Sequence, residues 1–224
     1  MTTHQQLTGS TDDEFLQRMI DTTAGRFTDA FWALFDAEVR PRLPEAPAVV
    51  DFGCGPGLFL QAVSRRIPAA TLSGFDLTPA MIEHARGLEF AGAPASFEVA
   101  DLTADRIPLA DASVHLGAMT AVLHVFDDPF AFLGEVRRAL APGGIFLLYD
   151  WVRTPLRDYL TDRVPREAGD AAGARLRAMR LFPSHNKYTV EDWRWLLGEC
   201  GFTVVADAAP RPNFHAFVTT AEAN

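Results

Sequence analysis

Apolar residues recur first at helical spacing and then, from Ala48 onward, in short runs separated by helical stretches. Thr11-Asp12-Asp13-Glu14 is a capping-box pattern, and Phe15, Met19 and Ile20 follow it on one helical face. A second amphipathic helix is predicted from about Arg26 to Arg40, its stripe of Phe27, Phe31, Leu34 and Phe35 ending before Pro41, Pro44 and Pro47. AVVDF then reads as a first strand, followed by a Gly-rich turn and a helix to about Ile67. TLSGFD, ASFEVA, SVHLGAM and IFLLYD read as further strands, with helices from Pro79 to about Leu88 and over DPFAFLGEVRRAL. The second of these helices should close at Pro142-Gly143-Gly144.

Such alternation of strand and helix calls for an α/β fold: a doubly wound, seven-stranded, mostly parallel sheet of Rossmann-like type. FTVVADA and NFHAFVTT should supply an antiparallel element at the sheet edge, preceded by a helix over TVEDWRWLLGEC with Thr189 as cap and Gly201 as stop. The Arg-rich stretch between them and the fifth strand lacks strand signals, so residues 151–188 are expected to form a helical cap insertion. A length of 224 residues fits a single domain over 1–224.

Composition narrows the function. Hydrophobic residues make up 48% and charged residues 22%, ordinary globular usage. The formal charge of −9 repels a phosphate backbone, so nucleic acid is not expected as a partner. The first residues, MTTHQQLTGSTDDEF, lack a basic start followed by an apolar stretch, and no run approaches the ~18 apolar residues of a membrane span. A cytoplasmic protein without membrane partners is expected. Cys54 and Cys200 are far apart with no CxxC or Cys/His spacing, so neither a disulfide framework nor a zinc site is indicated.

The candidate chemistry sits where the first strand ends. In VVDFGCGPGLFL, Gly53, Gly55 and Gly57 let the backbone approach a ligand and aim a helix N-terminus at it. A dinucleotide fingerprint would place its third glycine at position 58, which is Leu58. Asp76 closes the second strand, 25 residues after Asp51, where a carboxylate can accept two hydrogen bonds from ribose hydroxyls; Asp101 closes the third. Three carboxylates at adjacent strand ends suit a ligand with an ammonium, a sulfonium and a ribose better than one with a pyrophosphate.

These residues resemble the class I S-adenosylmethionine (SAM)-dependent methyltransferases of the small-molecule branch. DFGCGPG, GFDLTPAMIEHAR, VADL and LAPGGIFLLYD stand in that family's order and spacing, and FPSHNKYTVEDWRWLLGECGF is similar to its segment before the last strands. The resemblance implies SAM as cofactor and transfer of its methyl group to a small-molecule acceptor. It implies that Gly53, Gly55 and Gly57, with Cys54 between them, line the methionine and ribose part, with Asp51 near the amino group. Asp76 would hold the ribose, Leu77 would cover the adenine, Asp101 and Leu102 would meet its amino edge, and Met119 and Thr120 would lie beside the methionine. Residues 1–46 would be an N-terminal helical lid.

On the acceptor side, His124 in TAVLHVFDD is the candidate general base, set against a packing role, because imidazole titrates near neutral pH. Trp32, Trp151 and His185 are candidate substrate-binding residues, each weighed against core packing or solvation. Seven Arg against four acidic residues between Arg153 and Arg180 form either a solvated face or a cap that attracts an anionic acceptor. The carboxylates that related enzymes use for Mg²⁺ are missing: Ala118 and Met119 stand after strand four, and Asp150 is followed by Trp151, so no metal is expected. The alternatives are a nicotinamide dehydrogenase, opposed by the glycine spacing and the lack of a Tyr-x-x-x-Lys pair, a SAM-assisted cyclisation or rearrangement, and a non-enzymatic SAM-binding protein.

Overall fold

The computed structural model describes residues 3–103, 106–164 and 170–221. Three helices precede the sheet: α1 (His4–Thr8), α2 (Asp12–Arg26) and α3 (Asp29–Leu34). The capping box expected at Thr11 opens α2, and a second box, Thr3 with Gln6, opens α1. The single helix expected from Arg26 is broken instead. Thr28 accepts from Phe31 N and starts α3 afresh, and the chain then passes through a π-helical turn (Phe35–Val39) and a 3₁₀ turn (Arg40–Arg42). Thr28 wins because its hydroxyl satisfies a donor that an uninterrupted helix would pair internally.

The sheet comprises β1 (Ala48–Phe52), β2 (Thr71–Asp76), β3 (Ser96–Val99), β4 (Val114–Thr120), β5 (Leu140–Trp151), β6 (Phe202–Arg211) and β7 (Phe214–Ala221). Its order is β3-β2-β1-β4-β5-β7-β6. β1 to β5 pair in parallel, and β7 is antiparallel to both β5 and β6. The antiparallel pair expected at the edge thus forms with β6 outermost and β7 inserted beside β5. Strand order reverses between β1 and β4, β2 and β3 lying to one side of β1 and β4 and β5 to the other, which opens a crevice at the carboxyl ends of β1 and β4.

Helices α4 (Leu58–Arg66), α5 (Pro79–Arg86), α6 (Pro129–Ala139) and α9 (Val190–Glu199) flank the sheet. Strand residues alternate between two cores: Val49, Leu116, Ala118, Ile145 and Leu147 face one, and Val50, Phe52, Met119, Phe146 and Leu148 face the other. Each fully buried Leu, Phe or Val contributes about 1.5–3 kcal/mol through apolar area removed from water. Two helices, α7 (Leu156–Arg163) and α8 (Ala171–His185), form the helical segment expected after β5; its residues 165–169, with Arg166 and Glu167, lie outside the described ones. Among the described residues no helix is long and apolar enough to cross a membrane.

The N-terminal helices are tied to the sheet. Tyr149 Oη donates to Arg26 O at 3.0 Å, Arg211 Nη1 donates to Gly25 O at 3.1 Å, and Thr28 Oγ1 donates to Pro210 O at 3.3 Å. Phe31 and Phe35 pack beside Tyr149 and Phe59 in the first core. These contacts set α2 across the crevice.

Candidate active site

At the end of β1, Gly53 N and Cys54 N both donate to Phe75 O, at 2.8 and 2.9 Å, which fastens the glycine turn to β2. Gly55 N then donates to Asp76 Oδ2 and Thr78 N to Asp76 Oδ1, each at 2.9 Å. A carboxylate so held keeps further lone pairs on both oxygens for a ligand. Gly55 (φ 51°) has open space where a Cβ would stand, so ligand can meet its backbone directly. Burial pushes the Asp76 carboxyl above its ordinary value, opposed by the two backbone donors.

Asp51 is 1% exposed and its Oδ1 has no hydrogen-bond partner. Burial, followed by the charge of Asp76, pushes its carboxyl up to about 8, with Arg26 acting in the opposite sense. A buried carboxylate oxygen lacking a donor fits a cationic group of a ligand, since an ammonium would supply both the missing bond and the missing charge.

One cavity runs from this turn to the cap. Of the residues expected at the cofactor, Gly53, Cys54, Gly55, Asp76, Leu77, Leu102 and Thr120 line it. Gly57 instead packs against Ala85 as the first residue before α4. Asp51, Met119 and Asp101 also lie outside the lining. Met119 is fully buried in the second core, because strand alternation turns it to the face opposite Ala118. Asp101 is exposed and outside the lining; its carboxylate accepts from Thr103 N and Thr103 Oγ1, at 2.9 and 2.6 Å, which holds its pKa below the usual range.

On the acceptor side Trp151 and His185 both line the cavity, stacked with ring centroids 3.8 Å apart and planes 6° off parallel. Trp32 does not reach it. One helical step beyond buried Phe31, it stacks on Phe59, and the Arg66 guanidinium lies 3.7 Å from its ring centroid. His124 is 2% exposed and also outside the lining. Its Nδ1 donates to Asp150 Oδ1 at 2.7 Å, and its Nε2 meets His4 Nε2 at 2.9 Å, so His4 stands between it and the cavity.

Sequence reading expected residues 1–46 as a helical lid but did not name the side chains with which α1 and α2 reach the cavity. His4, Phe15, Arg18, Met19, Arg26 and Phe27 all line the cavity. The Thr3-x-x-Gln6 capping box was a legible signal for α1, but nothing in its spacing announces that His4 meets His124 and His185. Four arginines, Arg18, Arg26, Arg163 and Arg211, line the cavity, against the one acidic residue Asp76 among its described lining. Only Arg163 comes from the Arg-rich cap. Arg211 is partnered by Asp162 at 2.9 Å, whereas Arg163 Nε is buried without a partner.

Comparisons with known proteins agree with this geometry. Residues 50–148 match the family model described as a methyltransferase domain. The chain is 37% identical over 111 residues to the trans-aconitate 2-methyltransferase of Methylobacterium radiotolerans, covering 49% of this chain and 40% of that protein. It is 30% identical over 139 residues to the ubiquinone/menaquinone biosynthesis C-methyltransferase UbiE of Desulfotalea psychrophila, covering 58% of this chain and 55% of that protein. The matched parts thus span about half or less of these relatives' own length. In fold, the chain resembles a SAM-dependent methyltransferase from Aquifex aeolicus with a TM-score of 0.67 at 19% identity, covering 95% of this chain and all of that one. The glycine turn and Asp76 at the end of β2 lie inside the matched segment, so it is residues 50–148 of this chain that are identified as similar to a methyltransferase domain.

Proposed function

We propose that the protein transfers a methyl group from SAM to an anionic small-molecule acceptor, and that the excess of arginine in the cavity selects that acceptor. The observation that carries this reading is the joining of the glycine turn and Asp76 to Arg18, Arg26, Arg163 and Arg211 in one cavity. A guanidinium binds carboxylate in a fork of two donors, and a partly desolvated cluster of them favours an anion over a neutral or cationic acceptor.

SAM supplies a methyl group already activated by its sulfonium. Gly53, Cys54 and Gly55 would cradle its methionine and ribose part, Asp76 would accept from the ribose hydroxyls, Leu77 and Leu102 would cover the adenine, and Asp51 would meet the ammonium. Helix α2 would cover the cofactor as a lid, with Phe15 and Met19 excluding water. Trp151 and His185 would hold the acceptor on the cap side. An ionised carboxylate is already a nucleophile, so positioning carries the rate and no proton need be removed. His124 then serves as a positioning residue, with its Nδ1–H fixed on Asp150.

Mass spectrometry after incubation with SAM tests the reading on a panel of carboxylic acids, neutral phenols and amines. Methylated carboxylic acids are expected; methylation confined to the amines would overturn it. Arg163→Ala should raise the acceptor KM about tenfold, equal to about 1.4 kcal/mol and near the lower end for a hydrogen bond to a charged group. SAM binding should be unchanged. Arg157→Ala, removing a cap side chain 91% exposed, should leave both constants alone.

Asp51 gives a second, independent check. Its ordinary pKa is 3.8 and its folded value about 8, so between these the folded chain without ligand keeps a proton that the unfolded chain has lost. The contribution of Asp51 to stability therefore falls as pH rises through this window. An ammonium beside it would ionise it, so binding of SAM near pH 6.5 should release up to one proton. Calorimetry in two buffers of different ionisation enthalpy measures the release, and Asp51→Asn should abolish it. Equal heats in both buffers for the wild type would remove Asp51 from the ammonium site.

A further inference from the structure

We propose that His4, His124 and His185 form a binding site for one divalent transition-metal ion of the zinc type, with a coordination position open to the cavity. The three imidazoles come from α1, the 3₁₀ turn Leu123–Val125 after β4, and the end of α8, and one ligand nitrogen of each lies within 4.8 Å of the other two. His4 Nε2 is 2.9 Å from His124 Nε2 and 3.3 Å from His185 Nε2. With metal–nitrogen bonds of about 2.0–2.1 Å, neighbouring ligand atoms are separated by roughly 2.9 Å at a right angle and roughly 3.3 Å at a tetrahedral one. Both observed separations are those of ligands around a common centre.

The outer nitrogens of His124 and His185 are held as metal-binding imidazoles require. Asp150, fully buried, accepts from His124 Nδ1 at 2.7 Å, and a carboxylate can only accept, so the neutral ring directs its Nε2 lone pair at His4. Tyr159 Oη lies 2.7 Å from His185 Nδ1 and can accept its proton in the same way. A carboxylate or other acceptor behind the ligating ring fixes its tautomer and orientation. Trp151 stacked on His185 fixes that ring's plane.

Hydrogen bonding alone satisfies the cluster poorly. With its Nδ1 proton committed to Asp150, neutral His124 has no proton at Nε2, and the single Nε2 proton of His4 would have to serve two neighbours. A cation at the centre satisfies three lone pairs at once. Three neutral imidazoles suit zinc, copper, nickel or iron and give no preference to magnesium, consistent with the lack of the carboxylate pattern that Mg²⁺ would use. No spacing along the chain foretold the cluster, because its members are 120 and 61 residues apart. His4 and His185 line the cavity, so the open position can take water or, on the methyl-transfer reading, an anionic oxygen of the acceptor.

The test uses the full chain, without a histidine tag, stripped with chelator and titrated with Co²⁺ alone while visible absorption is followed. One Co²⁺ per chain is expected, with the intense d–d bands of four- or five-coordinate cobalt, displaced by Zn²⁺. His4→Ala should weaken binding at least tenfold, and Asp150→Asn about tenfold to hundredfold by loosening His124. His4 sits on a half-buried helix of five residues, so this variant should melt as the wild type does; His4→Gln is a second variant of similar size. Absence of stoichiometric binding, weak six-coordinate bands only, or undiminished affinity in both His4 variants would overturn the site. Binding of demethylated SAM to the metal-free chain is measured separately, and its failure would count against the cofactor site while leaving the metal site standing.

Discussion

Gly57→Val is expected to lower the stability of the protein by about 2 to 5 kcal/mol. Gly57 adopts φ 81° immediately before α4, and a Cβ there would stand 2.8 Å from Ala85 Cβ and 3.2 Å from Ala85 Cα. Left-handed backbone costs a branched residue about 1–2 kcal/mol, and forcing extra carbon into a packed contact costs about 1–3 kcal/mol more. Neither part can relax cheaply, because Ala85 is fully buried on α5 and its Cα belongs to the helix backbone. The strain also falls on the turn itself, where Gly57 N donates to Cys54 O at 3.0 Å. Urea unfolding with an unchanged slope reads the loss directly. A loss under about 1 kcal/mol would show that α4 and α5 can part without cost. Gly55→Ala provides the contrast, keeping the left-handed backbone cost at φ 51° but without the packing cost, since no atom lies within 4 Å of the added carbon.

Asp76→Ala is expected to weaken SAM binding about tenfold to hundredfold, from the loss of about 1.5–3 kcal/mol of hydrogen bonding to a charged group. The side chain orders the site as well as binding in it, because its two oxygens accept from Gly55 N and Thr78 N. Asp76→Asn separates these functions, keeping one acceptor for the backbone while losing charge. It should fall between wild type and alanine. Isothermal calorimetry gives the constants and circular dichroism checks that the sheet stands. An unchanged dissociation constant in folded Asp76→Ala would remove this residue from the cofactor site, with the fold assignment untouched.

The local part of this site was legible because its determinants are local. A strand ending in three spaced glycines, and an acidic residue closing the next strand, can be recognised along the chain because parallel neighbours place their carboxyl ends side by side. Asp76 holding Gly55 and Thr78 is the direct product of that arrangement. Alternation of side chains along a strand was equally readable in principle, yet which face Met119 would take depended on the bulge between Val114 and Leu116, set by pairing with β5.

The acceptor side was decided elsewhere. Trp32 and His124 were sound candidates by position, but a helical face or an intervening ring settles whether a side chain reaches a cavity, and both are properties of packing. Trp32 went to the Phe59 face, and His4 came between His124 and the cavity. Arg18 and Arg26 read along the chain as polar positions of an amphipathic helix; only the docking of α2 through Tyr149 and Arg211 turns them inward.

The sequence by itself determined the parallel α/β architecture, the glycine turn and Asp76, because hydrophobic period, turn chemistry and short-range hydrogen bonding act within a few residues. Tertiary structure alone decided the charge of the cavity and the meeting of His4, His124 and His185. Those depend on bringing together segments 61 residues or more apart, and the free energy that does so comes from burying apolar faces that carry no trace of the polar groups they bring along.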